Sequence, residues 1–154
     1  MSAGGLLVGG AVVQRPDRFG AAVLNSPFVD VANTMLDESL PLTVHEYDEW
    51  GNPSRCARAL DYILRYSPYD NIRPGAAYPP VLVTCSLNDS RVGFWEGAKF
   101  VYRLRDRTAA NAADCLLLAR ASGGHFGSGG RYDHLRDKAL EIAFLHDAMG
   151  LDPR

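Results

Sequence analysis

Pro80-Val81-Leu82-Val83-Thr84-Cys85 is a β-branched, unalternating apolar run, the pattern of a strand covered on both faces and therefore central in a parallel sheet. Just beyond it, between Val92 and Arg107, the residues Phe94, Gly97, Ala98, Val101 and Leu104 recur at helical spacing. Glu96, Lys99, Arg103 and Arg105 fall elsewhere on the same cylinder, so the spacing predicts an amphipathic helix. A further apolar run, Cys115-Leu116-Leu117-Leu118-Ala119, then supplies a second strand, and Ala21-Ala22-Val23-Leu24-Asn25 supplies one on the N-terminal side.

Helices frame these strands. Leu6 to Gln14 is apolar and stops at Arg15-Pro16, as a buried helix ends at the residue before proline. Gly4, Gly5, Gly9 and Gly10 weaken that helix intrinsically, and close packing of helix on sheet is the usual reason to keep them. Residues 28 to 52 lack a clear period and read as an excursion with short helical pieces. Asn52-Pro53-Ser54 offers cap chemistry for a helical stretch to about Tyr66. Leu135, Ala139, Ile142, Leu145 and Met149 mark a terminal helix closed by Gly150. Strands alternating with helices predict a single α/β domain over residues 1–154 with a mostly parallel sheet.

An apolar content of 47% over 154 residues suits one globular core, and a net charge of -2 from 16 basic and 18 acidic residues provides no positive field for nucleic acid or anionic lipid. No stretch is long and apolar enough to span a bilayer, and the N-terminus lacks the basic-then-apolar order of a secretory signal. Cytoplasmic residence is the expectation. Cys56, Cys85 and Cys115 are an odd set without tight spacing, so reduced thiols are expected, with no metal site or organic cofactor implied.

Active sites in open parallel sheets gather beyond the carboxyl ends of the strands. One such loop holds Asn88-Asp89-Ser90-Arg91 and the next holds Ser122-Gly123-Gly124-His125-Phe126-Gly127. Ser2 precedes Ala3-Gly4-Gly5 and a helix, as a nucleophile does at the end of a sharp elbow. Taken singly, each of these residues has an ordinary explanation as a polar end residue, a turn aspartate or a loop histidine. In the order Ser2, Asp89, His125, which α/β-hydrolases use, they form a candidate catalytic triad: nucleophile, orienting acid and general base.

The wider sequence resembles the oligopeptidase B branch of the prolyl oligopeptidase family. Ser2-Ala3-Gly4-Gly5 is similar to the end of that branch's nucleophile motif. Pro27-Phe28-Val29-Asp30-Val31, Thr34-Met35-Leu36-Asp37, Glu49-Trp50-Gly51-Asn52-Pro53 and Tyr66-Ser67-Pro68-Tyr69-Asp70-Asn71 resemble its downstream blocks. Asp89-Ser90-Arg91-Val92 and Gly124-His125 resemble the segments with the family's acid and histidine. The resemblance implies the C-terminal part of an α/β-hydrolase fold, with an N-terminal β-propeller and the first hydrolase strands lying upstream of what this chain contains. It further implies cleavage of short peptides after Arg or Lys, with Glu46 and Asp48 as carboxylates of the basic-residue pocket. Arg91 would hold a substrate carbonyl, and Ala3 would give its backbone N–H to the oxyanion hole, whose second donor in the family is an upstream tyrosine. Phe126 stands where glycine is usual, Asn88 where histidine is frequent and His45 where glycine is usual.

Three readings remain at this level. The first is a serine peptidase for basic sites working through an acyl-enzyme at Ser2, with short basic peptides as its partners. The second is a catalytically inactive fragment or pseudoenzyme of the same family. The third is an esterase or acyl-aminoacyl peptidase, against which the acids Glu46 and Asp48 argue, since neutral substrates do not call for them.

Overall fold

The computed structural model describes residues 1–127 and 129–151 of the chain. Its elements are α1 (Ala3–Gln14), β1 (Ala22–Asn25), α2 (Val31–Leu36), α3 (Tyr47–Trp50), α4 (Ala57–Tyr66), β2 (Val81–Ser86), α5 (Phe94–Arg107), β3 (Cys115–Arg120) and α6 (Asp133–Ala148). The three strands form one parallel sheet in the order β1-β2-β3. Val81 lies opposite Ala22 on one side and Cys115 on the other. β2 is buried at all of its residues, as its unalternating sequence requires of a central strand.

The core forms where apolar helix faces meet that strand. Val81, Val83 and Leu24 pack with Phe100, Leu104, Val12 and Val13, which sets α5 and α1 against the sheet. A second cluster of Phe28, Val31, Met35 and Ile63, flanked by Trp50 and Tyr47, holds α2 and α4 together and makes residues 28–66 a packed cap. Gly5 and Gly97 mark close approaches between segments distant in sequence. A Cβ at Gly5 would stand 2.5 Å from Cβ of Pro27, and one at Gly97 would stand 2.8 Å from Cγ1 of Val83. Close packing therefore accounts for Gly5, but not for Gly4, which has nothing within 4 Å of that position.

Three other expectations shift. α4 begins at Ala57 rather than at Asn52, because Asn52 first closes a turn, its Oδ1 accepting from Arg55 N at 3.1 Å. β3 is buried only at Cys115, and the successive Leu116 and Leu117 are both exposed. The apolar stripe of α6 also faces outward among the described residues: Leu135, Ile142 and Met149 are all exposed. Cys85 and Cys115 are buried in their strands, whereas Cys56 is exposed ahead of α4.

Candidate active site

Ser2 sits at a sharp bend ahead of α1. Its backbone has φ 55° and ψ -130°, a left-handed conformation that costs a non-glycine residue about 1–3 kcal/mol and persists only where the surroundings over-determine it. Here they do so with four hydrogen bonds. Its N–H points at the carbonyl oxygens of Asn25 (3.2 Å) and Ser26 (3.1 Å), and its own carbonyl accepts from Gly5 (2.7 Å) and Phe28 (3.1 Å). Ser2 thereby bridges Pro27 in parallel fashion beside the end of β1 and turns straight into α1. Ala3, the first residue of α1, has an N–H with no intrahelical acceptor, as at every helix start.

Asp89 and His125 meet at the ends of β2 and β3. His125 Nδ1 lies 2.8 Å from Asp89 Oδ2, and the two side chains are 5% and 0% exposed. The other carboxylate oxygen accepts from the N–H groups of Arg91 (2.8 Å) and Val92 (3.0 Å). Burial resists the charge on Asp89, yet those two N–H groups and His125 outweigh it and hold the carboxyl below its ordinary value. A carboxylate so fixed selects the imidazole tautomer with its proton on Nδ1, which leaves Nε2 free to accept one.

The loop bearing the histidine is equally braced. Gly124 and Gly127 exchange backbone hydrogen bonds of 3.1 and 3.0 Å, so His125 and Phe126 form the tip of a tight turn. Positive φ at Gly123 (83°) and Gly127 (92°) permits it. Ser86 Oγ donates to Gly123 O at 2.7 Å, and Asn88 Nδ2 donates to Ala121 O at 3.0 Å, tying the acid loop to the histidine loop. Among the described residues, Ser2 Oγ has no hydrogen bond, to His125 or to any other group. The structure thus joins two of the three triad candidates directly and holds the third in a strained elbow.

A narrow cavity beside Ser2 is lined by Ala3, Phe28, Glu46, Glu49, Trp50 and Arg91, among others. Trp50 Nε1 donates to Glu46 Oε2 at 2.8 Å, and Trp50 and Phe28 pack at a tilt of 59° with ring centroids 5.5 Å apart. Asp48 is exposed and does not line this cavity. The reason is helical phase: around the turn at Tyr47–Trp50, positions 46, 49 and 50 share a face, and position 48 lies off it. Glu49, on the same face as Glu46, lines the cavity. Arg91 borders the cavity, and its guanidinium also stands 5.8 Å from the centroid of the exposed Phe126 ring.

Glu96 departs most from the helical pattern. It is 1% exposed rather than on the solvent side of α5. Burial pushes its carboxyl up to about 7, against hydrogen bonds from Thr34, Asp30 and Val29 that favour the anion, while the charge of Asp30 adds to the rise.

Known proteins share this arrangement of sequence and fold. The pattern that describes the prolyl oligopeptidase family matches residues 1–152. The chain is 44% identical over 150 residues to dipeptidyl aminopeptidase BI of Pseudoxanthomonas mexicana, covering 97% of this chain and 20% of that protein. It is 44% identical over 151 residues to protease 2 of Moraxella lacunata, covering 98% and 21%. The structure of oligopeptidase B from Leishmania major superimposes with a TM-score of 0.90 at 39% identity, over 99% of this chain and 21% of that one. The chain spans about one fifth of the length of the relatives it matches.

Proposed function

The chain belongs to the prolyl oligopeptidase family, and on that premise we propose that it carries the catalytic triad of a serine peptidase cleaving short peptides after Arg or Lys. The observation that bears most of this reading is the buried Asp89–His125 pair at 2.8 Å, placed at the same end of the sheet as the strained Ser2. In this mechanism Ser2 Oγ attacks the scissile carbonyl carbon while His125 Nε2 takes its proton. The imidazolium is stabilised by Asp89, and the carbonyl oxygen, now an oxyanion, is met by the N–H of Ala3. His125 returns the proton to the leaving amine, and water then releases the acyl group by the same steps in reverse.

Specificity follows from the cavity next to Ser2. Phe28 and Trp50 offer apolar walls to the stem of a basic side chain, and Glu46 with Glu49 offers carboxylates to its cationic head. Charge-assisted hydrogen bonds of that kind are stronger than neutral ones and favour the planar guanidinium. Because one relative is named a dipeptidyl aminopeptidase and another protease 2, arginyl substrates with free and with blocked amino termini distinguish removal of N-terminal dipeptides from internal cleavage.

The absence of a Ser2–His125 hydrogen bond favours a second reading, in which this chain is catalytically inert. A fluorophosphonate probe decides between them. Labelling that is lost in Ser2→Ala supports a competent nucleophile, and a folded sample that takes up no label supports the inert reading. Turnover of arginyl and alanyl fluorogenic peptides tests the pocket, since equal rates would remove the basic-residue assignment.

A further inference from the structure

Glu96 occupies the first turn of α5, the helix entered directly from the loop of Asp89. Both of its oxygens are engaged: Oε2 accepts from Val29 N (2.7 Å) and Asp30 N (3.1 Å), and Oε1 accepts from the Thr34 hydroxyl (2.7 Å). The connection continues past Thr34. Its carbonyl oxygen accepts from the Thr43 hydroxyl at 2.8 Å, and the Thr43 carbonyl accepts from the N–H of Glu46 at 3.3 Å. A line of hydrogen bonds therefore runs from α5 to the backbone of Glu46, the residue whose carboxylate is assigned to the basic side chain. Glu96 also stands in the wall common to two cavities, one reaching Ser2 and Glu46 and the other reaching Asp89 and Ser90.

We propose that Glu96 is a positioning residue for the basic-residue pocket: its carboxylate fixes residues 29–46 against α5 and adds negative charge to the wall that faces a bound cation. This rests on the pocket assigned above. No member of the triad needs Glu96 for its own proton transfers. A purely structural anchor between a helix and a loop could be apolar or amide, and a buried carboxyl that opposes its own ionisation calls for a reason. A cation arriving in the adjoining cavity supplies one.

The charged surroundings set the direction of the effect. Asp30, ahead of α2, disfavours the anion and is itself paired with Lys99, one turn further along α5. Arg91 borders both cavities, Asp89 borders the second, and Glu46 and Glu49 border the first. With the Glu96 carboxyl at about 7, a cationic ligand binds more tightly once that group is ionised, and by reciprocity its binding draws the proton off. Affinity for a basic side chain therefore rises as pH passes upward through about 7.

Benzamidinium, a planar cation resembling the arginine head, is the probe. Trp50 reports on it, because its indole is bonded to Glu46. Trp95→Phe leaves Trp50 as the sole tryptophan of the two in the chain. In that background, affinity followed by fluorescence is expected to rise roughly five- to tenfold between about pH 5.5 and about pH 8.5. Glu96→Gln keeps the shape, can accept from Val29 and Asp30 and can donate to Thr34 Oγ1, so it folds but should lose that rise. Thr34→Val keeps the carboxyl and removes one donor that favours the anion, so the midpoint should move upward. An equal rise in the Glu96→Gln protein overturns the inference while leaving the pocket intact. If the parent protein binds no benzamidinium at any pH, the pocket assignment falls and this inference falls with it.

Discussion

Replacing Glu96 by Gln should make the fold more stable at neutral pH and no more stable in acid. The carboxyl is raised from 4.5 to about 7 by burial. Between those values the folded chain holds a proton that the unfolded chain has released, so stability falls as pH rises. Below the lower value both states are protonated and the penalty is absent; above the upper value both are ionised and it is complete. At about 1.4 kcal/mol per pH unit the full penalty is about 3 kcal/mol, of which roughly 2–3 kcal/mol develops between about pH 5 and about pH 8. For a domain of this size each kcal/mol moves the melting temperature by about 2–4 °C. The difference in melting temperature between Glu96→Gln and the parent should therefore widen by roughly 5–10 °C across that range, read by differential scanning fluorimetry in matched buffers. Asp89, held below its ordinary value, acts with the opposite sign, gaining stability for the fold as pH rises from strong acid. Both proteins share that contribution, so it cancels in the difference. Two melting curves that stay parallel from acid to neutral pH would refute the buried, proton-holding carboxyl.

Other residues give equally direct tests. Asp89→Asn presents an amide to His125 Nδ1 and turns the imidazole to the wrong tautomer, so fluorophosphonate labelling of Ser2 should slow by roughly four orders of magnitude, measured as a labelling rate on folded protein. Glu49→Gln should weaken benzamidinium binding measured by Trp50 fluorescence, whereas Asp48→Asn should leave it unchanged, since of these two acids Glu49 alone lines the cavity; the reverse order would place Asp48 in the pocket. Gly5→Ala drives a methyl to 2.5 Å from Cβ and 2.6 Å from Cα of Pro27 and should cost roughly 1–3 kcal/mol in urea unfolding, because backbone has to shift to admit it.

What the residues disclose in advance depends on how local the cause is. β2 is legible because a strand buried on both faces needs no knowledge of its neighbours, and α5 is legible from its 3.6-residue period. Asp89 and His125 are legible as a consequence of topology: they follow the two parallel strands at the ends where loops converge. Glu96 is not legible, since its partner Val29 is 67 residues away, and a helical period assigns an acid to solvent unless some distant donor claims it. α6 shows the same gap from the other side, for its spacing marks an apolar stripe yet says nothing of what covers it. Asp48 and Glu49 are the most instructive case, since only the second lines the cavity beside Ser2. A resemblance transfers positions along a line, but the turn at 44–50 is only about two turns long, and its rotation is set by Trp50 locking Glu46 and packing at a tilt against Phe28. One residue of phase, about 100° on a helix, decides which acid faces Ser2. In the pocket proposed above, specificity is a property of how the cap of residues 28–66 is pinned to α5, and Glu96 is one of the points at which that cap is pinned.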